Sequence, residues 1–443
     1  MKNVAIALVG LPALLASTAV LAADLPKSAV VASGPGYALS VSGGVIGFSM
    51  PTLDSSVEAT GEYTVTDPGS ALGMQGSLSG SFDLGTSGGA KLSLGVDVFG
   101  AMANGSQNST ITFTGPGTVV IPGYTTPSGT IELTTGTGTG ESDIGSTTEN
   151  QTVTEGTSVS GEQDALGVKE GDGIFTYAAT NGSVSAENAA YGAIASTEGG
   201  IFIGCGDLTG LSVTTKTSQQ VIYGGADINL AATGDLGNGV SLQAYIGPSY
   251  KYLGQTNTTI TSVTVPTATP TDLVYPTYSD TRIEDLTSNY FGGLGGLNFT
   301  APVSKTMALT LGGSAGVYDM WTNWNGSESY SISGGANAPG GSSALPITTE
   351  TVTNANKPSG SGNGFAYSAG VNGALTMAMT DTLSVTLGAG AEYLSAVPVL
   401  SHATPVLTSG STSYTGPQSG ATPTLGFASM WNWSGSVALT GHF

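Results

Sequence analysis

Positive charge is scarce in this chain. Nine Lys and Arg stand against 30 Asp and Glu in 443 residues, a formal net charge of -21. Nucleic-acid binding draws on clustered cations, and nine scattered ones make no patch. Cysteine is scarcer still. Cys205 is alone, which excludes a disulfide framework and a cysteine-based zinc site. The two histidines, His402 and His442, have no short-spaced metal partner. Charged residues of both signs make up 9%, too few for a coiled coil, while 39% hydrophobic residues are too many for an ordinary disordered chain. Glycine is what abounds: 69 residues, more than twice the usual share of about 7%. Ser and Thr accompany it, which points to a β protein poor in charge.

Residues 1–22 read as a signal peptide. Lys2 gives the positive start, Val4 to Val20 is apolar, and small residues close the run before Asp24, so cleavage is expected after Ala22 or Ala23. No Cys follows the run, which argues against a lipoprotein. Residues 23–36 then form a short periplasmic segment. Beyond residue 23 no run of 18 apolar residues occurs, so a membrane-crossing body would have to be a β-barrel.

That body alternates with period two, the strand period. Leu72, Met74, Leu78, Phe82 and Leu84 fall on one face, and Gln75, Ser77, Ser79, Ser81 and Asp83 on the other. Ile222, Ile228 and Leu230 oppose Asp227 and Asn229, while Leu242 and Ile246 oppose Gln243 and Tyr245. Strand pairs are expected at 72–84 with 92–102, 219–232 with 240–253, 288–300 with 305–319, and 364–378 with 382–394. A weaker pair lies at 186–197 with 200–212. Segments 37–48 and 424–443 begin and end the series. Short turns near 85–90, 198–199, 233–239, 301–304 and 379–381 alternate with long connections near 49–70, 103–185, 254–287, 320–363 and 395–423. A cylinder with its long loops all at one end explains that sorting, and a soluble sandwich does not. Residues 37–443 are therefore expected to form an all-β, transmembrane antiparallel β-barrel of about 12 strands (10–14), with short periplasmic turns and long extracellular loops. The loop 103–185 is rich in Gly and Thr and holds nine acids against Lys169.

The last segment places Trp431, Trp433, Val437, Leu439 and Phe443 on one face, and the chain stops on Phe443. With the signal peptide, the strand series and the opening Ala-Asp-Leu-Pro, this resembles the Gram-negative outer-membrane β-barrel proteins of the porin and major outer membrane protein type. The chain departs from them at Gly441, where they often carry a bulkier residue. The resemblance implies that Phe443 is an assembly signal read by the barrel assembly machinery. It also implies contact with outer-membrane lipid and lipopolysaccharide, and room for a homo-oligomer.

No nucleophile has a positioned base, so an enzyme is not expected, nor a cofactor or metal. The polar face offers pore-lining candidates: Asp83, Asp97, Asp227, Tyr245, Lys251 and Glu392. The alternative puts these charges at the rims, where they aid solubility. Arg282 is the one arginine, so a row of cations for anion selection is missing. The expectation is an outer-membrane pore for passive diffusion of small hydrophilic solutes, leaning to cations. The alternative is a barrel-anchored structural or adhesive surface protein.

Overall fold

The computed structural model describes residues 36–51, 57–66, 69–122, 130–136, 151–156, 174–180, 189–196, 200–204, 208–264, 277–333, 350–353, 357–402, 408–409, 413–415 and 423–443. The expected signal peptide, nearly all of segment 23–36, and Cys205 lie outside them.

Ten strands close into one antiparallel ring. They are β1 (Tyr37–Ser49), β2 (Gly69–Ser87), β3 (Ala90–Pro122), β4 (Ser212–Gly237), β5 (Val240–Thr264), β6 (Thr277–Pro302), β7 (Met307–Ser333), β8 (Ser359–Ala378), β9 (Leu383–Ser401) and β10 (Thr424–His442). Each pairs with its neighbour in sequence, and β10 returns to β1. Closure removes the unpaired edges an open sheet would present. The ring lies at the lower end of the expected range, and short outlying strands bring the whole sheet to fifteen.

Connections β2–β3, β4–β5, β6–β7 and β8–β9 are short, and the five others are long. All short turns share one end with Tyr37 and Phe443. Two of these turns, Gly88-Gly89 and Asn238-Gly239, have positive φ at both central residues, the type I′ preference of two-residue hairpins. At the same end Tyr37 stacks on Phe443, ring centroids 5.4 Å apart, and seals the β1–β10 seam.

The strands are unequal. β3 runs 33 residues and β4 to β7 run 25–27, whereas β1, β2, β8, β9 and β10 run 13–20. Several expected boundaries are corrected by this. The loop expected from 103 begins after Pro122, because its first residues continue β3. β5 continues to Thr264 and β7 to Ser333. The pair expected at 186–197 and 200–212 is not part of the ring. Strands Ala189–Ser196 and Gly200–Gly204 instead extend the sheet from the far end of β3, and residues from 212 onward belong to β4. The cause is composition. Past the tenth residue or so from the turn, outward positions change from aliphatic to Thr, Ser and Asn, and polar alternation reads as loop.

That change is visible on single strands. Outward positions of β7 are Leu309, Leu311, Gly313, Ala315 and Val317, then Asp319 and Trp321, then Asn323 and Asn325. On β5 they are Leu242, Ala244, Ile246 and Pro248, then Tyr250 and Tyr252, then Thr256 and Thr258. Leu311, Val317 and Ile246 are among the exposed apolar side chains, so this band faces away from the protein interior. Ten residues of tilted strand rise about 25 Å, the height of the apolar band on membrane barrels. Farther from the turns Phe113, Val119 and Val120 of β3 are buried, and Leu286, Trp324 and Leu400 form a second apolar cluster.

Candidate functional site

The inward face is polar near the turns. Thr300 bonds Thr310 at 3.0 Å, Thr376 bonds Thr386 at 3.0 Å, and Asn298 donates to Gln243 at 3.1 Å. These side chains satisfy one another across adjacent strands, as a wall without a bulky core requires.

About ten residues from the turns the interior changes. Lys251 on β5 and Glu392 on β9 form an ion pair through the middle of the barrel, with 3% and 5% of their side chains exposed. Glu392 has two further partners. Tyr223 on β4 donates its hydroxyl at 3.0 Å, and Asn432 on β10, directly opposite in register, donates at 3.0 Å. The Lys251 ammonium lies 5.6 Å from the Phe99 ring centroid and 5.7 Å from those of Tyr223 and Tyr318. Tyr318 on β7 is within hydrogen-bond reach of Ser249 and Ser368, at 3.2 and 3.4 Å. Tyr290 on β6 donates to the Ala396 carbonyl at 2.8 Å. Phe48 on β1 meets Tyr223 edge-on at 6.0 Å. Side chains from nine of the ten strands thus meet in one layer, and Ile46, Leu253, Met320, Leu394 and Met430 pack around it.

Register explains why large rings fit inside so narrow a barrel. Phe99, Gly225 and Lys251 are successive partners across β3, β4 and β5. A Cβ at Gly225 would stand 2.2 Å from the Tyr250 carbonyl oxygen and 2.8 Å from the Phe99 ring, so glycine leaves both the backbone and the ring their place. At Gly316 a Cβ would stand 2.5 Å from the Tyr318 hydroxyl. Gly225, Gly296 and Gly316 are sockets for aromatic neighbours, whereas Gly312 leaves room for the amides of Asn298 and Asn372.

The expected pore-lining residues divide. Lys251 and Glu392 bind each other rather than facing open water. Asp97 and Asp227 are inward and directly opposite in register on β3 and β4. Tyr245 is inward, its ring lying over Gly296 on β6. Asp83 is exposed at the turn rim, where its carboxylate accepts from the Gly85 amide at 2.7 Å. That local turn bond takes the side chain out of the lumen. Sequence reasoning missed Tyr223, Tyr290, Tyr318 and Asn432. Their signal was bulk: large side chains at inward positions of a face otherwise made of Ser, Thr and Gly.

A second polar cluster lies in the extension. His402, at the end of β9, contacts Glu284 of β6 at 2.8 Å, and Arg282 lies 3.4 Å from the same carboxylate. Asp280 and Glu328 are buried beside them. Burial pushes the Asp280 carboxyl up to about 7 against the pull of Arg282. Burial also raises Glu284, but the His402 hydrogen bond and the charges of Arg282 and His402 outweigh it and hold Glu284 below its usual value. Among the described residues no group of three or more His, Cys, Asp or Glu is placed to hold a metal ion.

No family model and no curated protein matches the chain. Among solved structures it is similar to the outer membrane protease OmpT from Escherichia coli, at 7% identity, covering 94% of this chain and 99% of that one, with a TM-score of 0.30. It is also similar to the translocator domain of the autotransporter NalP from Neisseria meningitidis, at 8% identity, 93% and 90% coverage and a TM-score of 0.23. A Pseudomonas aeruginosa FadL homologue shares 7% identity over 93% and 91%, with a TM-score of 0.21. At these scores the likenesses carry no argument about activity.

Proposed function

We propose that the chain is an outer-membrane β-barrel that passes small cationic solutes and is closed at rest by the layer around Lys251 and Glu392. Support for the membrane comes from the outward face. Its apolar band ends in Tyr250, Tyr367, Tyr393, Trp431 and Trp321 on the loop side and in Tyr37, Phe82, Phe299 and Phe443 on the turn side. Amphipathic rings at both limits match two membrane–water interfaces. A closed barrel satisfies its backbone groups inside lipid, because every strand is paired on both sides. In this reading the short turns are periplasmic and the extended strands stand outside the cell.

The observation that carries the function is an ion pair set within the apolar cluster at the centre of the lumen. On the turn side it is approached by inward Asp97 and Asp227, which favour cations in a narrow, low-dielectric passage. An always-open diffusion pore does not accommodate nine strands' side chains meeting in one layer. Liposome swelling tests the closure. Wild-type proteoliposomes should exclude small uncharged sugars, and the joint replacement Lys251→Ala with Glu392→Ala should admit them.

A second reading has its own support. β3 to β7 project well past the apolar band, and the cluster of Leu286, Trp324 and Leu400 is buried there, as in a barrel that anchors an external structure. It predicts no swelling for wild type or variant.

A further inference from the structure

We propose that the lumen contains a binding site for small organic ammonium ions, occupied at rest by the head of Lys251 as a tethered ligand. The inference rests on the gated-channel reading and names the solute class that reading leaves open.

The surroundings of Nζ are those of an ammonium receptor. Three aromatic faces, Phe99, Tyr223 and Tyr318, lie 5.6–5.7 Å from it. That distance is within the range of cation–π attraction, which strengthens when water is excluded. Glu392 supplies the counter-charge, and it is held in place independently of the lysine. The Tyr223 hydroxyl and the Asn432 amide fix its other oxygen at 3.0 Å each. Gly225 and Gly316 give two of the three rings their room. The cage is thus assembled by β3, β4, β7, β9 and β10, while its occupant comes from β5.

The occupant is the one movable part. Lysine's charge sits on a flexible four-carbon stem, whereas the rings are packed into the wall. A free alkylammonium offers the same charge, the same donors and the same apolar body. Metal cations match the cage poorly, because they hold their hydration shells more tightly than an alkylammonium does. A solute of this class can take the place of the lysine head as Lys251 swings aside; while bound it occupies the layer and hinders other ions, and on leaving the cage it has passed the layer that the lysine closes.

Chemical rescue tests the site. Lys251→Ala removes the atoms of a propylammonium ion, so n-propylammonium chloride is the probe, compared with sodium chloride at equal ionic strength and with 1-propanol. The readouts are the thermal midpoint of the heat-modifiable gel shift and the current in planar bilayers. The site predicts that propylammonium raises the Lys251→Ala midpoint by several degrees and blocks its current about tenfold. Sodium and propanol should do neither, and adding Glu392→Gln should abolish both effects. If Lys251→Ala refolds only with propylammonium, the refolding yield is itself the rescue, and equal failure in both salts overturns the site. Midpoint rescue in a barrel that never conducts keeps the site and sinks the channel reading. Conduction without rescue or block keeps the channel and overturns the site.

Discussion

Tyr223 donates its hydroxyl to Glu392 across the barrel at 3.0 Å, though 169 residues separate the two in sequence. The bond joins β4 to β9, which are not neighbours in the ring. It fixes one oxygen of the carboxylate whose other oxygen receives Lys251. A buried pair held this way depends on both partners, because removing one leaves an uncompensated charge. Glu392→Ala alone should cost about 3–5 kcal/mol, while Lys251→Met with Glu392→Leu should recover most of the loss. Unfolding in urea of the refolded barrel checks this. Equal losses for the single and joint variants would mean that the charges are not coupled.

The apolar band fixes where substitutions are tolerated. Leu311 and Asn325 are both outward on β7, one inside the band and one beyond it. Leu311→Arg should cost about 2–4 kcal/mol near the bilayer midplane, and Asn325→Arg should leave folding unchanged. Insertion yields into lipid vesicles report the difference. Equal yields would remove the band from its assigned depth.

Glycine sockets can be filled. At Gly316 the three nearest atoms all belong to the Tyr318 side chain, so Gly316→Ala should displace that ring at a cost of about 1–3 kcal/mol. Combined with Tyr318→Leu, the extra methyl should cost little. Non-additivity of the thermal midpoints is the measurement, and strict additivity would separate the two residues.

Asp280 and Glu284 lie in the extension, outside the band, and pull stability in opposite directions with pH. The Asp280 carboxyl rises from 3.8 to about 7 on folding. Between those values the folded chain keeps a proton the unfolded chain has released, so stability falls as pH climbs through this window. Glu284 sits below its ordinary 4.5, so its contribution is present above that value and lost as pH falls through the lower, folded value. Asp280→Asn should therefore raise the thermal midpoint at pH 8 and leave it unchanged at pH 4. A variant less stable than wild type at pH 8 would show that the ionised pair with Arg282 outweighs burial.

Much of the architecture was legible because a barrel wall writes itself as period two. The faces of β2, β4, β5, β8 and β10, the short turns, and the shared end of the long loops all follow from alternation. Strand length was not legible. Apart from Ile260, the outward positions past Tyr252 on β5 are Thr, Gly and Ser, which resemble loop residues, although the backbone pairing continues to Thr264. The closing layer was half legible. Lys251 and Glu392 stood out as charges on a polar face, but that they meet depends on strands 141 residues apart in sequence. His402 likewise finds Glu284 only through folding, 118 residues away.

Single-channel recording in planar bilayers tests the closed-lumen account most directly. Purified wild-type protein in sodium chloride should give a silent baseline, and Lys251→Ala with Glu392→Ala should give stepwise, cation-selective currents. Stepwise currents of equal size from wild type and variant would contradict the account, because the Lys251–Glu392 layer would then close nothing.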